Sequence, residues 1–321
     1  MIVRSPNVRP TNVRAEDLLR KRRLVWLLAL VGVLAIGVAG GIALRRNTFN
    51  PSPSSQPTRP PTFDIATADE TAILAARSPL LQVFRSSAAP AVLVLSFPTL
   101  GEQGRMLDRL GAFVEKAGLP RERVLSDAEL DAAIRQAGDT WETYYYGHDY
   151  RAADLVRFFS VADQGGIALN PEEVRLRALL EREGMLTPGA VGALISIPPE
   201  VETPPVDATS RATILRHELS HGIYFTDPRY ATYTRSFWEQ ILNDAQRAGL
   251  RRFLGSEGYD TANEDLMMNE AQAYLVHTLD PRFFQPPLAG LSDAEAARLR
   301  EVFLRGMPDG WLKAARPVNA P

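Results

Sequence analysis

The stretch ILRHELSHG, residues 214–222, decides how the rest of the chain is interpreted. On an α-helix, His217 and His221 share one face, because side chains four residues apart lie one above the other. Both imidazoles can then reach one metal ion, while Glu218 points to the neighbouring sector, where a water on that ion would sit. The stretch therefore predicts a metal-binding helix. The alternative is an amphipathic helix whose histidines are solvated or hydrogen-bonded in the core.

The predicted metal helix also has a face that can pack against a core. Its apolar stripe consists of Ile214, Leu215, Leu219 and Ile223. Asp207 and Ser210 precede this stripe, and either is a suitable N-cap. Further upstream, residues 193–197 (ALISI) are short and apolar, and two prolines follow them, as is typical of the end of a strand.

A catalytic zinc ion needs a third protein ligand and one position that stays open for water. The chain has no Cys, so a carboxylate is the natural choice. Glu270 is the first candidate, in the helical stretch MNEAQAYLVH at residues 268–277, whose alanines let a second helix approach closely. Tyr274 and His277 follow Glu270 by four and seven residues and are expected on the same helix face.

Two other carboxylates remain open as third ligands. Glu264 precedes Glu270 by six residues and faces about 120° away on the same notional helix. Asp227 follows His221 by six residues, but Tyr224 stands where a glycine would let the chain bend back to the ion. Helix context therefore favours Glu270.

These motifs resemble those of the gluzincin group of zinc metallopeptidases, within the zincin superfamily. HELSH at residues 217–221 matches the family's metal helix, and Glu270 with Ala273 resembles the E-x-x-A-D second motif of some membrane-bound members. Tyr274 stands where those members have an Asp that orients a zinc-binding His, so Tyr274 or another residue has to take that role. The resemblance covers residues 214–277 and identifies no subfamily.

The resemblance implies Zn²⁺ as the cofactor, held by His217, His221 and Glu270, with Glu218 as the general base of peptide hydrolysis. The oxyanion that forms also needs a donor. Tyr274 and His277 are the first candidates for that catalytic role, and Tyr224 and His148 are the others. Zincins also place a short edge strand before the metal helix, where an extended substrate can pair, and residues 193–197 are positioned for that role.

An apolar stretch near the N-terminus predicts a membrane anchor. Residues 24–44 carry no charge and, at about 1.5 Å per residue, are long enough as a helix to cross a bilayer. The preceding segment, 1–23, is basic, so the positive-inside rule places it in the cytoplasm and the main body outside. A signal peptide cleaved at the small residues 37–39 is the alternative. The Pro- and Ser-rich residues 45–65 are predicted to be a linker.

The charge distribution argues against nucleic acid as a partner. Residues 1–46 contain nine basic and two acidic residues, which leaves 27 basic and 36 acidic residues in the main body. An acidic body is poorly suited to neutralise phosphates. Three Lys against 33 Arg indicate a GC-rich bacterial genome.

Because the apolar stretch follows a basic segment in what we expect to be a bacterial protein, we expect residues 24–44 in the inner membrane. The main body is then expected in the periplasm or the extracellular space.

The fold is expected to be α+β and mainly helical, with a small sheet against the metal helix. We expect one zincin-like domain over residues 66–321, with a candidate N-terminal lobe at 66–190 and the metal-binding part at 191–321. Predicted elements include a strand at 91–97, helices at 101–117 and 126–137, and a last helix after Ser292.

The leading functional hypothesis is a membrane-anchored zinc metallopeptidase that cleaves a peptide or protein. A second form of this hypothesis keeps the enzyme but makes its substrate a peptide cross-link or an amide of the cell wall. The alternative is a non-catalytic zincin-like module that binds an envelope partner or a cell-wall component. Glu218 favours the enzyme, because a purely structural metal does not need a base beside it.

Overall fold

A five-stranded sheet lies at the centre of residues 63–314, the part of the chain that this computed structural model describes. Its strands are β1 (Ile65–Ala68), β2 (Gln82–Ser86), β3 (Val92–Ser96), β4 (His148–Arg151) and β5 (Ala193–Ile197). Their order in the sheet is β1-β2-β3-β5-β4. β1 is parallel to β2 and β3 is parallel to β5, whereas the β2–β3 and β4–β5 pairs are antiparallel.

β5 lies inside the sheet, between β3 and β4, so the expectation that residues 193–197 form an edge strand is wrong. Every residue of β3 and β5 is buried. Apart from one buried serine in each strand, Ser96 and Ser196, their sequences are apolar because helices cover both faces of the sheet. The edge strand next to β5 is β4, whose sequence HDYR contains no apolar run that could have predicted it.

Helices make up most of the remaining described chain. They are α1 (Glu70–Ala75), α2 (Leu100–Val114), α3 (Asp127–Ala137), α4 (Ala152–Gln164), α5 (Pro171–Arg182), α6 (Ala208–Thr226), α7 (Pro228–Ser236), α8 (Asp244–Ser256), α9 (Glu264–Gln272), α10 (Asp293–Gly306) and α11 (Trp311–Ala314). Ser126 and Ser292 cap α3 and α10, each in a reciprocal capping box with the glutamate three residues later. The prediction of a mainly helical α+β fold with a small sheet is confirmed.

The two faces of the sheet pack against different helices. Apolar residues of α2, α4 and α5 cover one face, together with Leu93 of β3 and Tyr150 of β4. α6 covers the other face, where Leu215 and Leu219 pack with Ile195. Because side chains alternate along a strand, neighbouring residues of β4 also point to these two different layers.

α6 contains the predicted metal-binding residues, and contacts near both of its ends fix it against the sheet. Asp207 caps its N-terminus by accepting a hydrogen bond from the Ser210 amide at 2.8 Å. Towards its C-terminal end, Gly222 lies over β3, where an added methyl group would come within 2.9 Å of Val92 Cγ1. The glycine therefore allows the helix to approach the sheet closely.

The predicted helix at residues 268–277 forms in two parts. α9 ends at Gln272, and Ala273–His277 continue the chain as a π-helical turn. Such turns are rare and are frequently found at functional sites. Since the π-helical turn has more residues per turn than an α-helix, it alters the alignment of Tyr274 and His277 with Glu270 that α-helical spacing predicts.

The predicted membrane segment at residues 24–44 lies outside the described residues, as do segment 1–23 and nearly all of the predicted linker. Within residues 63–314, no helix combines the length and the apolar character needed to cross a bilayer. The two candidate lobes, 66–190 and 191–321, remain a prediction. β5 of the second candidate lobe pairs with β3 and β4 of the first.

Candidate metal centre

α6 and α9 bring His217, His221 and Glu270 together. His217 Nε2 lies 3.8 Å from Glu270 Oε2, and His221 Nε2 lies 3.7 Å from Glu270 Oε1. The centroids of the two imidazole rings are 4.7 Å apart. One ligand atom from each of the three residues lies within 4.8 Å of the other two, so the group can hold a metal ion.

The separations in this group fit a small tetrahedral ion. Bonds of about 2.0–2.1 Å to nitrogen or oxygen place tetrahedral ligand atoms about 3.3–3.4 Å apart. The observed separations of 3.7 and 3.8 Å, each to a different Glu270 oxygen, are larger than these values. The side chains would move inward to bind an ion.

The cluster is buried, and several of its polar atoms lack partners. His221 is 0% exposed and Glu270 is 1% exposed. Among the described residues, both ring nitrogens of His221, Glu270 Oε2 and Glu218 Oε2 have no hydrogen-bond partner. Such atoms are rare in proteins, since each costs about 1–3 kcal/mol. A bound cation would be the partner that His221 Nε2 and Glu270 Oε2 lack.

Thr278 fixes the tautomer of His217. Its hydroxyl lies 2.7 Å from His217 Nδ1 and donates its single proton to the Ala273 carbonyl oxygen at 3.0 Å. The hydroxyl must therefore accept from His217, which places the imidazole proton on Nδ1 and leaves the Nε2 lone pair facing Glu270. A metal-binding His is commonly oriented in this way through its second nitrogen. Sequence analysis missed Thr278 because nothing in the motif indicates a π-helical turn before it.

Glu218 lies in the same buried region, on the side of β4. It packs against Gly147, where an added methyl group would lie 2.0 Å from Glu218 Oε1. Glu218 also forms a second metal-capable group with Asp149 and His221, again with ligand atoms within 4.8 Å of one another. Its carboxylate is therefore close enough to exchange a proton with a water molecule beside His221.

Two carboxylates that sequence analysis missed complete the cluster. Asp149 projects from β4, and its Oδ1 lies 3.8 Å from His221 Nε2. Glu115 follows the last residue of α2 and forms a third metal-capable group with Asp149 and Glu270. Neither belongs to a recognisable motif. The available signal is alternation along β4, which points His148 towards α2 and so turns Asp149 towards α6.

Burial disfavours the charged form of every group in the cluster. It raises the pKa of Glu115 to about 8 and that of Asp149 to about 7. Burial, together with the neighbouring Asp149 carboxylate, also raises the pKa of Glu218 and of Glu270 well above the usual range. Both imidazole pKa values are lowered by burial, that of His221 to about 4. At neutral pH the two imidazoles are therefore uncharged, the form that binds a metal.

Tyr274 and His277, the first candidates for oxyanion donors, occupy different positions. Tyr274 packs its ring edge-on against His217, with 4.7 Å between the centroids. His277 is buried, and its Nε2 is hydrogen-bonded to the Tyr230 hydroxyl of α7 at 3.0 Å. Tyr274 therefore contacts a residue of the metal centre, whereas the ring of His277 is engaged with α7.

The other two candidate donors, Tyr224 and His148, already have partners. The Tyr224 hydroxyl donates to Asp265 Oδ1 at 2.6 Å. His148 is buried on the α2 side of the sheet, where its Nε2 lies 3.2 Å from Asp108 Oδ1. His148 is thus separated from the metal centre by the sheet itself.

The alternative third ligands lie elsewhere. Glu264 accepts hydrogen bonds from Trp238 Nε1 at 2.7 Å and from Arg251 at 2.6 Å. Asp227 caps α7 and pairs with Arg229 at 2.9 Å. Each of these two carboxylates has a structural role, and Glu270 is the candidate that joins both histidines.

Comparisons with known proteins found no relative of this chain. No protein-family model matches it, and neither does any curated protein or solved structure. The chemistry of the site is therefore inferred from its own geometry.

We predict that Thr278→Val weakens zinc binding by about 10- to 100-fold, the usual cost of losing a partner that orients a ligand. Valine has nearly the same shape as threonine but cannot accept from His217 Nδ1. Competition with a zinc-chelating dye measures the affinity. Thr278→Ser keeps the hydroxyl and should stay near the wild-type value, and equal affinities for all three proteins would contradict the assigned tautomer.

We also predict that the metal-free chain loses stability between about pH 6.5 and pH 8. The carboxyls of Glu115 and Asp149 keep their protons in the folded state up to pKa values of about 8 and about 7. In the unfolded chain they ionise at about pH 4. The folded state thus binds more protons, and the free energy of unfolding falls by up to about 1.4 kcal/mol per pH unit for each group. Between pH 6.5 and pH 8 the histidines of the cluster are largely neutral in both the folded and the unfolded chain. They therefore contribute little to the change in the free energy of unfolding.

Urea unfolding of the full-length chain in the presence of a chelator measures this dependence. Glu115→Gln should reduce the slope, because glutamine does not ionise. Glu122→Gln is the matched control, since Glu122 is exposed, and should leave the slope unchanged. A wild-type stability that stays constant or rises from pH 6.5 to pH 8 would contradict the prediction.

Proposed function

We propose that this chain is a membrane-anchored, zinc-dependent metallopeptidase that hydrolyses peptide bonds outside the cytoplasm. The observation that carries the proposal is the cluster of His217, His221 and Glu270, in which His221 Nε2 and Glu270 Oε2 are buried without hydrogen-bond partners, with Glu218 beside it. A structural metal site does not need the extra carboxylate, whereas hydrolysis needs a base close to the ion.

Each residue of the cluster would have a separate role in hydrolysis. His217, His221 and Glu270 would hold the ion and leave a fourth position open. Zinc bound there would lower the pKa of a water molecule towards 7 and polarise the scissile carbonyl group. Glu218 would accept the proton of that water and deliver it to the leaving amine.

We propose that the chain belongs to the gluzincin group. It departs from the group's pattern at one residue, and other side chains of this chain can take the role of that residue. Where some membrane-bound members have an Asp that orients a zinc-binding His, this chain has Tyr274. Thr278 makes an orienting hydrogen bond to His217 at 2.7 Å, and Tyr274 packs against the same ring. We propose that these two contacts together replace the missing Asp.

The substrate is proposed to bind along β4. This strand is at one end of the sheet and carries Asp149 into the metal centre. An extended peptide can add to such an edge through main-chain hydrogen bonds. A cavity of about 80 Å³ lies beside β4 and is bordered by Glu115, Asp149 and Asn269. This cavity has room for water but not for a peptide, so the surrounding segments must move apart when substrate binds.

We propose that residues 24–44 anchor the enzyme in the cytoplasmic membrane and that the catalytic domain lies in the periplasm or the extracellular space. The basic residues before the apolar stretch support this orientation. The substrate would then be a peptide or protein of the cell envelope or its surroundings. A peptide cross-link or an amide of the cell wall belongs to the same chemical class.

A non-catalytic zincin-like module is the second candidate function, and Asp149 is the observation that favours it. Its Oδ1 lies as close to His221 Nε2 as Glu270 does, at 3.8 Å against 3.7 Å. If Asp149 became a fourth protein ligand, no position would remain for water, as in structural zinc sites. The buried carboxylate of Glu218 would then have no chemical role.

Zinc content and peptidase activity of the full-length chain, purified in mild detergent, test the proposal together. We predict one zinc per wild-type chain and cleavage of internally quenched peptides from a mixed-sequence library. Glu218→Gln should keep its zinc and lose about 10²–10⁴-fold of the cleavage rate, because only the general base is removed. Glu270→Gln should lose zinc as well as activity.

Glu264→Gln is the matched control. It removes a carboxylate from α9, the helix that carries Glu270, and this carboxylate pairs with Arg251 rather than with the cluster. It should keep both zinc and activity. Zinc bound by a wild-type chain that cleaves no peptide would favour the binding module. Absence of zinc from the wild type after loading, or full activity of Glu218→Gln, would overturn the proposed function.

A further inference from the structure

We propose that Glu115, Asp149 and Glu270 form a second cation site next to the proposed zinc site, with Glu270 shared between the two. The ion would be a divalent cation that prefers oxygen ligands, of the class of Mn²⁺, Mg²⁺ and Ca²⁺. This inference rests on the proposed function, because Glu270 is also a zinc ligand there. It adds a second metal to a site for which the motif requires only one.

The geometry places three carboxylates from three separate elements around one point. Glu115 follows α2, Asp149 lies on β4 and Glu270 lies on α9, yet one oxygen from each is within 4.8 Å of the others. Glu115 and Glu270 are 5% and 1% exposed. Carboxyl groups brought together away from water either keep their protons or, once ionised, need a cation between them.

Unpartnered atoms at this cluster point to a ligand independently of its charge. Glu270 Oε2 is buried without a hydrogen-bond partner, and so are Glu218 Oε2 and His221 Nε2. His221 Nε2 lies 3.7 Å from Glu270 Oε1 and 3.8 Å from Asp149 Oδ1, and so borders both sites. A carboxylate with two oxygens can bridge two ions about 3.5–4 Å apart, as in known two-metal sites.

A single divalent ion leaves the cluster negatively charged. Four carboxyl groups lie here, those of Glu115, Asp149, Glu218 and Glu270, and when all four are ionised one divalent ion offsets two of their four charges. The charge of Arg151 acts on Asp149, but Arg151 also pairs with two other carboxylates. Arg151 pairs with Asp154 at 3.0 Å and with Asp265 at 2.9 Å. A second divalent cation therefore balances the charge that the first leaves.

Lys116 is the other nearby cation, and its position does not replace an ion. Its ammonium group lies 4.6 Å from the ring centroids of both Tyr144 and Tyr145. This placement is that of a cation–π contact and directs the group towards the aromatic rings.

The cavity beside β4 gives the second cation a route and additional ligands. Its lining includes Glu115, Asp149 and Asn269, and its volume of about 80 Å³ holds several water molecules. Cations that prefer oxygen complete their coordination with water and with amide or carboxylate oxygens. The proposed zinc ligands do not line this cavity, and two of them are imidazoles, which suits zinc rather than these cations.

The experiment counts metals on the full-length chain in mild detergent. The chain is loaded with one equivalent of zinc, and Mn²⁺ is added while electron paramagnetic resonance measures the free ion. Elemental mass spectrometry checks that zinc stays bound. We expect one Mn²⁺ per chain in addition to one zinc. Glu115→Gln should weaken Mn²⁺ binding at least 10-fold and leave the zinc content at one.

Two further variants keep the result interpretable. Glu122→Gln, at an exposed position, should bind both metals like the wild type. Asp149→Asn should lose Mn²⁺ as Glu115→Gln does, and retained zinc shows that each variant is folded. Zinc with no added Mn²⁺ in the wild type, or Mn²⁺ bound equally well by Glu115→Gln and Asp149→Asn, overturns the second site alone. A chain that binds no zinc overturns the proposed function as well.

Discussion

Acidic side chains, imidazoles and polar atoms without partners share a small buried volume between α6, α9 and β4, and the rest of the structure has to hold them there. Moving these groups into water would relieve their desolvation, so the metal-free arrangement persists only because the surrounding elements are packed. A bound cation would give the carboxylates a favourable electrostatic partner. We therefore interpret the fold as a scaffold for the proposed metal site, in which the free energy of metal binding would add to the free energy of folding.

Close approaches in the backbone make this arrangement feasible. Gly222 lets α6 lie against Val92, and Gly147 leaves the space that the Glu218 side chain occupies. The π-helical turn after α9 brings Thr278 under His217, where the hydroxyl fixes the imidazole tautomer. The cluster side chains that Thr278 and Gly147 contact, His217 and Glu218, both lie on α6, and a regular element gives more precise geometry than a loop would.

The sequence predicts the parts of the site that follow a helical period. His217, Glu218 and His221 are close together on one helix, and Glu270 lies in a second helical stretch. Spacing and composition are therefore sufficient to predict that these residues form one site. Asp149 and Glu115 could not be found in this way, because their neighbours in space are distant in the chain and β4 has no apolar run. The interior position of β5 was missed for a related reason, since an apolar run does not say which strands flank it. Tyr274 and His277 show the limit of helical spacing, because a π-helical turn alters it.

Zinc K-edge X-ray absorption of the full-length chain, loaded with one equivalent of zinc, tests most directly whether two histidines and one carboxylate hold the ion. We predict a first shell of nitrogen and oxygen at about 2.0–2.2 Å, with the outer-shell scattering of two imidazole rings. In Glu270→Gln, this first shell should lose an oxygen or the zinc should be lost altogether. A spectrum with fewer than two imidazoles, or one that Glu270→Gln leaves unchanged, would contradict the metal centre described here.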